Sequence, residues 1–101
     1  MIAAADCTSM IEVRAGVDAI DRELVALLRR RFDFMIAAAR IKPDRAAVRD
    51  EPRKADVVAN AVRAAAADGL PDGLAATLWE TLVEASIAYE LRTFDAGHNR
   101  P

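Results

Sequence analysis

The chain has 101 residues, room for one domain and rarely two. Apolar residues make up 53% of it, much of that alanine, while aromatics reach only 5%; with 4 Gly and 4 Pro this points to helices packed through small side chains. A net charge of −2 argues against a nucleic-acid binder, which normally shows a basic face, so any anionic ligand must be drawn in by a local cluster.

The opening "MIAAADCTSM" has no basic n-region and no sustained apolar core, so no signal peptide is expected. No run of about 18 apolar residues follows, so no membrane span is expected either. Cys7 is the only cysteine and cannot form an internal disulfide; a reducing cytoplasm is the simpler assignment. The only histidine, His98, lies in the polar tail and is no ready partner for it. Metal-ligand spacings and Gly-rich phosphate loops are missing from the sequence, so neither a metal nor a cofactor is expected.

The first predicted helix runs from about Ser9 to about Arg40. Asp6, Thr8 and Ser9 are the candidate caps, and Glu12, three residues after Ser9, is a capping-box partner. Val13, Val17, Ile20, Leu24 and Leu27 form its seam, widened by Leu28, Phe32, Met35 and Ala39. Pro43 ends it, and "PDRAAVRD" reads as a loop. Asp50 is the predicted cap of a second helix, with Glu51 and Pro52 in its first turn and an apolar face of Val57, Val58, Ala61, Val62 and Ala65. "DGLPDG" stops it. A third helix is predicted from near Asp72 to about Phe94, with a stripe of Leu74, Leu78 and Leu82 and the neighbouring Trp79 and Val83. Residues 1–8 and 95–101 are expected to be flexible around a single domain.

The expected class is therefore all-α, three helices with one long. At 1.5 Å per residue the long helix reaches about 45 Å, more than two shorter helices of the same chain can cover. An uncovered apolar stripe of that length is an aggregation hazard. The economical remedy is a symmetric partner, so an intertwined homodimer is expected.

Two cations break the seam. Eleven residues close to within about 20° of three full turns, so Ile20, Arg31 and Lys42 share one stripe. A buried charge costs several kcal/mol unless something pairs with it. Either these side chains snorkel to solvent or meet structural carboxylates, or a ligand completes the seam. Arg14 lies about 100° around the helix and about 42 Å from Lys42, too far for one small ligand to touch both in one chain. An antiparallel two-fold dimer would set Arg14 of one chain beside Arg31 and Lys42 of the other. Arg49, Asp50 and Arg53 lie near a helix N-terminus, where backbone N–H groups favour anions. Ser86 and Glu90 continue the Leu82 stripe at four-residue steps. Glu90 is either a wet surface carboxylate or part of a site.

The stretches "DCTSMIEVRAGVDAIDRELVALLRRR", "AARIK", "VRDEPRK", "DGLP" and "SIAYE", with the one-helix pattern R–x16–R–x10–K, resemble the all-helical class of chorismate mutase, including the branch of isochorismate pyruvate-lyases. The resemblance covers nearly the whole chain. It implies that Arg31, and Arg14 from the partner chain, grip substrate carboxylates with their planar forks. Lys42 is implied to contact a carboxylate and the ether oxygen of the breaking bond. Asp50 and Arg53 match the positions opening the second helix, the arginine taking a carboxylate, and Ser86 a serine nearby. Glu90 stands where glutamine is usual, donating to the ether oxygen.

Two departures matter. Lys54 stands where mutases often carry a glutamate that holds the substrate hydroxyl, which puts that contact in doubt. Glu90 can donate only as the neutral acid. Burial favours that form, while Lys42 and the arginines favour the carboxylate. The expected activity is rearrangement of chorismate, a small dianion, to prephenate, with no cofactor. The "DC" start leans toward the lyase, which forms salicylate and pyruvate from isochorismate; "VRDEPR" and Ser86 lean toward the mutase. A non-catalytic helical dimer module is the remaining reading. Neither nucleic acid nor membrane is an expected partner.

Overall fold

The computed structural model describes residues 2–98. Three α-helices follow one another: α1, Met10–Ile41; α2, Glu51–Ala67; and α3, Leu74–His98. Short 3-10 turns occupy Ala4–Asp6 and Arg45–Ala47. No strand occurs among the described residues, and none of their helices is long and apolar enough to cross a membrane. All-α with one long helix is therefore the observed class. The chain forms two compact units, one ending at Phe34 and the other starting at Met35, and α1 contributes to both.

In the first unit the start of α1 is capped as the sequence predicts. Glu12 N–H donates to Ser9 Oγ at 3.3 Å, and the Glu12 carboxylate accepts from Thr8 N at 3.1 Å, Thr8 Oγ1 at 3.0 Å and Ser9 Oγ at 3.2 Å. Those donors, Thr8 first, hold the Glu12 carboxyl below its ordinary range. Ala4 and Cys7, together with Val13, Gly16 and Val17 of α1, line an apolar groove of about 270 Å³. The seam of α1 is bare: Val13, Val17, Ile20, Leu24 and Leu27 are all exposed, Leu24 by 51%.

The second unit holds the core. Ala39 of α1, Val48 of the loop, and Val83, Ile87 and Phe94 of α3 form one buried cluster, with Val57 and Val58 of α2 and Leu91 of α3 packed against it. Asp50 caps α2 by accepting from Arg53 N–H at 3.0 Å, and Pro52 sits in the first turn. The other end closes on Gly69 at φ 75°, with Leu70 N–H donating to Ala65 O at 3.0 Å. That left-handed residue lets the chain turn back and satisfies a terminal carbonyl.

α3 departs from expectation in two ways. Val83 is buried as expected, with Ala75, Ile87 and Phe94, whereas Leu74 and Leu78 remain exposed, by 39% and 51%, like the seam of α1. The helix also runs four residues past Phe94. His98 stacks on the Phe94 ring at 3.8 Å with Nδ1 3.0 Å from the Phe94 carbonyl, and Asp95 pairs with Arg45. Residues 99–101 of the expected flexible tail lie outside the described residues.

Candidate active site

The core carries two buried polar residues, Ser86 and Glu90, each 3% exposed and one turn apart on α3. Their four-residue spacing places both on the stripe that also holds Val83, Ile87 and Phe94. Ser86 Oγ donates to the Leu82 carbonyl at 2.7 Å, a back-bond within the helix. Glu90 is thus no wet surface carboxylate.

Its partner is Lys42. The Lys42 N–H still donates to the Ala38 carbonyl at 2.9 Å, and Pro43 then stops α1. The side chain therefore leaves the last turn of α1 toward α3. Lys42 Nζ lies 2.9 Å from Glu90 Oε1 and 3.2 Å from Oε2, and the aligned hydrogen bond goes to Oε2. A second donation reaches the Val48 carbonyl at 3.4 Å. Glu90 Oε1 is buried and, despite the close ammonium, has no hydrogen-bond partner. The Lys42 side chain is 29% exposed and that of Glu90 only 4%. The pair therefore opens to solvent on its cationic side, with a buried carboxyl oxygen that is ion-paired but makes no aligned hydrogen bond. A neutral acid there could donate a proton in a hydrogen bond; a carboxylate could not.

The structure joins Lys42 to Glu90 and places Ser86 one turn away. Asp50 and Arg53 open α2 and are exposed, the Asp50 carboxylate being engaged as the helix cap. Arg14 and Arg31 belong to the first unit, Arg14 exposed and Arg31 half-buried. No group of three or more side chains suited to a metal ion occurs among the described residues.

Sequence reasoning missed a charge network next to this pair. Arg49 donates through NH2 and NH1 to Glu84 Oε1 at 2.8 Å and Oε2 at 3.1 Å, and through NH1 to Glu51 at 2.9 Å. Lys54 Nζ donates to Glu80 at 2.7 Å and to Glu84 Oε2 at 3.0 Å. The Lys54 ammonium is therefore held by two carboxylates, which raise its pKa, Glu80 first. The Glu84 carboxyl is held down at about 2 by Arg49 first and then Lys54. The only sequence hint was the Glu80–Glu84 spacing of one turn, which says nothing about partners on another element.

A family model described as chorismate mutase type II matches residues 13–91. The chain is also similar to an isochorismate pyruvate lyase of Pseudomonas aeruginosa, 31% identical over 87 residues that cover 86% of each chain.

The Glu84 shift has a consequence for acid stability. Its carboxyl titrates at about 2 in the fold, below its ordinary 4.5. The stabilisation is therefore complete above the ordinary value and lost as pH falls toward the folded one. Thermal unfolding followed by circular dichroism should show a falling midpoint from about pH 4.5 to pH 2, and Glu84→Gln should make that fall shallower.

Proposed function

The chain belongs to the chorismate mutase type II family, and on that premise we propose that it is a chorismate mutase, converting chorismate to prephenate. The observation that carries this reading is the Lys42–Glu90 pair: an ammonium at a solvent-open rim and a buried carboxyl oxygen with no hydrogen-bond partner. Chorismate is a dianion that rearranges in one pericyclic step, without nucleophile or cofactor. Negative charge builds on the ether oxygen as the C–O bond stretches. The protein has to hold the reactive conformer and aim donors at that oxygen. Preorganised donors of this kind are worth about 3–4 kcal/mol each on removal.

In this reading Lys42 and the neutral acid of Glu90 serve the ether oxygen, Arg31 and Arg53 take carboxylates, and Ser86 lies beside one of them. Asp50 acts from the α2 cap. Protonation of Glu90 also releases the Lys42 charge for the ligand, because the two no longer neutralise one another. Arg14 is supplied by a second copy of the chain in an antiparallel dimer. The bare seam of α1 supports that dimer, since exposed stripes of such length are rare on monomers.

A second reading, elimination of pyruvate from isochorismate to give salicylate, is favoured by the named activity of the similar Pseudomonas aeruginosa protein. Both reactions use the same cage of cations.

Sedimentation at micromolar concentration should give a mass near two chains; a mass near one overturns the shared site. Purified protein offered each substrate should yield prephenate from chorismate, and salicylate fluorescence from isochorismate would favour the second reading. Arg31→Ala and Lys42→Ala should each lower turnover by about 10²–10³-fold. Retention of turnover in both would remove these residues from the chemistry, and turnover of neither substrate by the parent would leave a non-catalytic dimer. Turnover should rise toward acid pH, and Glu90→Gln, which donates at every pH, should flatten the profile. A profile unchanged by that substitution removes Glu90 from the chemistry.

A further inference from the structure

The segment between α1 and α2, residues 43–49, brings one backbone group to the site. The Val48 carbonyl accepts from Lys42 Nζ at 3.4 Å, the long end of a hydrogen bond, where a shift of a few tenths of an ångström loses it. The Val48 side chain is 3% exposed, set among Ala39, Val83, Ile87 and Phe94. That buried side chain fixes where the peptide lies, and the 3-10 turn before it, with Val48 N–H donating to the Arg45 carbonyl at 3.2 Å, makes the segment a unit that moves with its two arginines.

Two arginines flank the anchor, and both reach α3. Arg45 donates from Nε to Asp95 Oδ1 at 2.9 Å and from NH2 to Oδ2 at 3.4 Å. Arg49 grips both oxygens of Glu84, at 2.8 and 3.1 Å. Glu84 and Asp95 are eleven residues apart, so they lie within about 20° of one stripe and about 16 Å apart along the helix. Lys54, in the first turn of α2, adds a third bond to Glu84 at 3.0 Å. The loop is thus fastened at both ends to the helix that carries Glu90.

Resting on the reading of the site given above, we propose that Arg45 and Arg49, through Asp95 and Glu84, are positioning residues for the reaction. The two clasps hold that unit against α3 and so fix the direction of the Lys42 ammonium. Their geometry suits that role better than a role in stability. Exposed ion pairs add little to the free energy of folding, whereas a two-pronged guanidinium–carboxylate contact defines an angle as well as a distance. The arginine side chains are 60% and 45% exposed, so the variants should fold.

The test compares the full-length protein with Arg45→Ala, Arg49→Ala, Glu84→Gln, the Arg49→Ala/Glu84→Gln double variant, and Glu80→Gln as control. Each clasp variant should lower kcat about tenfold with KM changed less than about threefold, since misplacement of a donor acts on the transition state. The double variant should fall no further than the worse single one, because both remove the same clasp. Arg49→Lys should recover only part of the loss, having charge without the fork. Glu80→Gln, which leaves both clasps closed, should stay within about twofold of the parent in kcat. Amide hydrogen exchange over residues 44–50 should quicken about tenfold in the clasp variants and not in the control.

A kcat within twofold of the parent in all three single clasp variants, or a loss that only follows the unfolded fraction, overturns the proposal. So does unchanged exchange in the loop. If the parent turns over neither chorismate nor isochorismate, the functional reading falls, and the exchange measurement still judges the clasps.

Discussion

The contact between Lys42 and Glu90 ties the end of α1 to the buried face of α3, and on the proposed function it ties the chemistry to the core. A carboxylate with 4% of its side chain exposed is costly to bury, and only a close counter-charge makes it tolerable. That counter-charge comes from the last turn of α1, and the carboxylate from the middle of α3. The loop between α1 and α2 closes the arrangement through the Val48 carbonyl. Removing Lys42 would leave the buried Glu90 carboxylate without its counter-charge. The pair therefore constrains three elements at once, although an apolar pair of the same volume would serve folding as well. On the proposed function, the pair offers an ammonium at a solvent-open rim, suited to an anion that gains charge at one oxygen.

Much of this was legible in the residues. The three helices follow from apolar spacing and from Pro43 and the glycines of "DGLPDG". The caps at Ser9 and Asp50 follow from short-range chemistry that a sequence states directly. Glu90 could be singled out because a carboxylic acid interrupts an apolar stripe. The stripe of α3 was right toward its C-terminal half, where Val83 is buried and Ser86 and Glu90 lie in the core, and wrong at its start, where Leu74 and Leu78 stay exposed while Ala75 is buried. Helical periodicity gives an angle, not the side on which a neighbour sits. The Arg45–Asp95 and Arg49–Glu84 pairs were invisible for a different reason. They join residues 50 and 35 positions apart, and no local period encodes such a meeting.

The exposed leucines are informative in their own right. On α1, every member of the predicted seam up to Leu27 is open to solvent. On α3, Leu74 and Leu78 are open as well. A chain with few aromatics has little large apolar surface to waste. On the proposed dimer these two uncovered stripes would be the surface a second copy removes from water, and the hydrophobic effect scales with that area.

Lys54 bears on the choice between substrates. Chorismate and isochorismate are isomers that differ in where the hydroxyl is attached, and a site rejects an isomer strongly only when a buried polar group would otherwise be left unpaired. A glutamate at this position would be such a group. Here the ammonium of Lys54 is held by Glu80 and Glu84, at 2.7 and 3.0 Å, so two of its three N–H donors are engaged within the chain. On the proposed function, the cations then recognise what the two isomers share, the carboxylates and the ether oxygen. Discrimination between them must come from the shape of the cavity and from the conformer it favours. In such a site, side chains that fix the direction of Lys42 matter more than those that touch the hydroxyl.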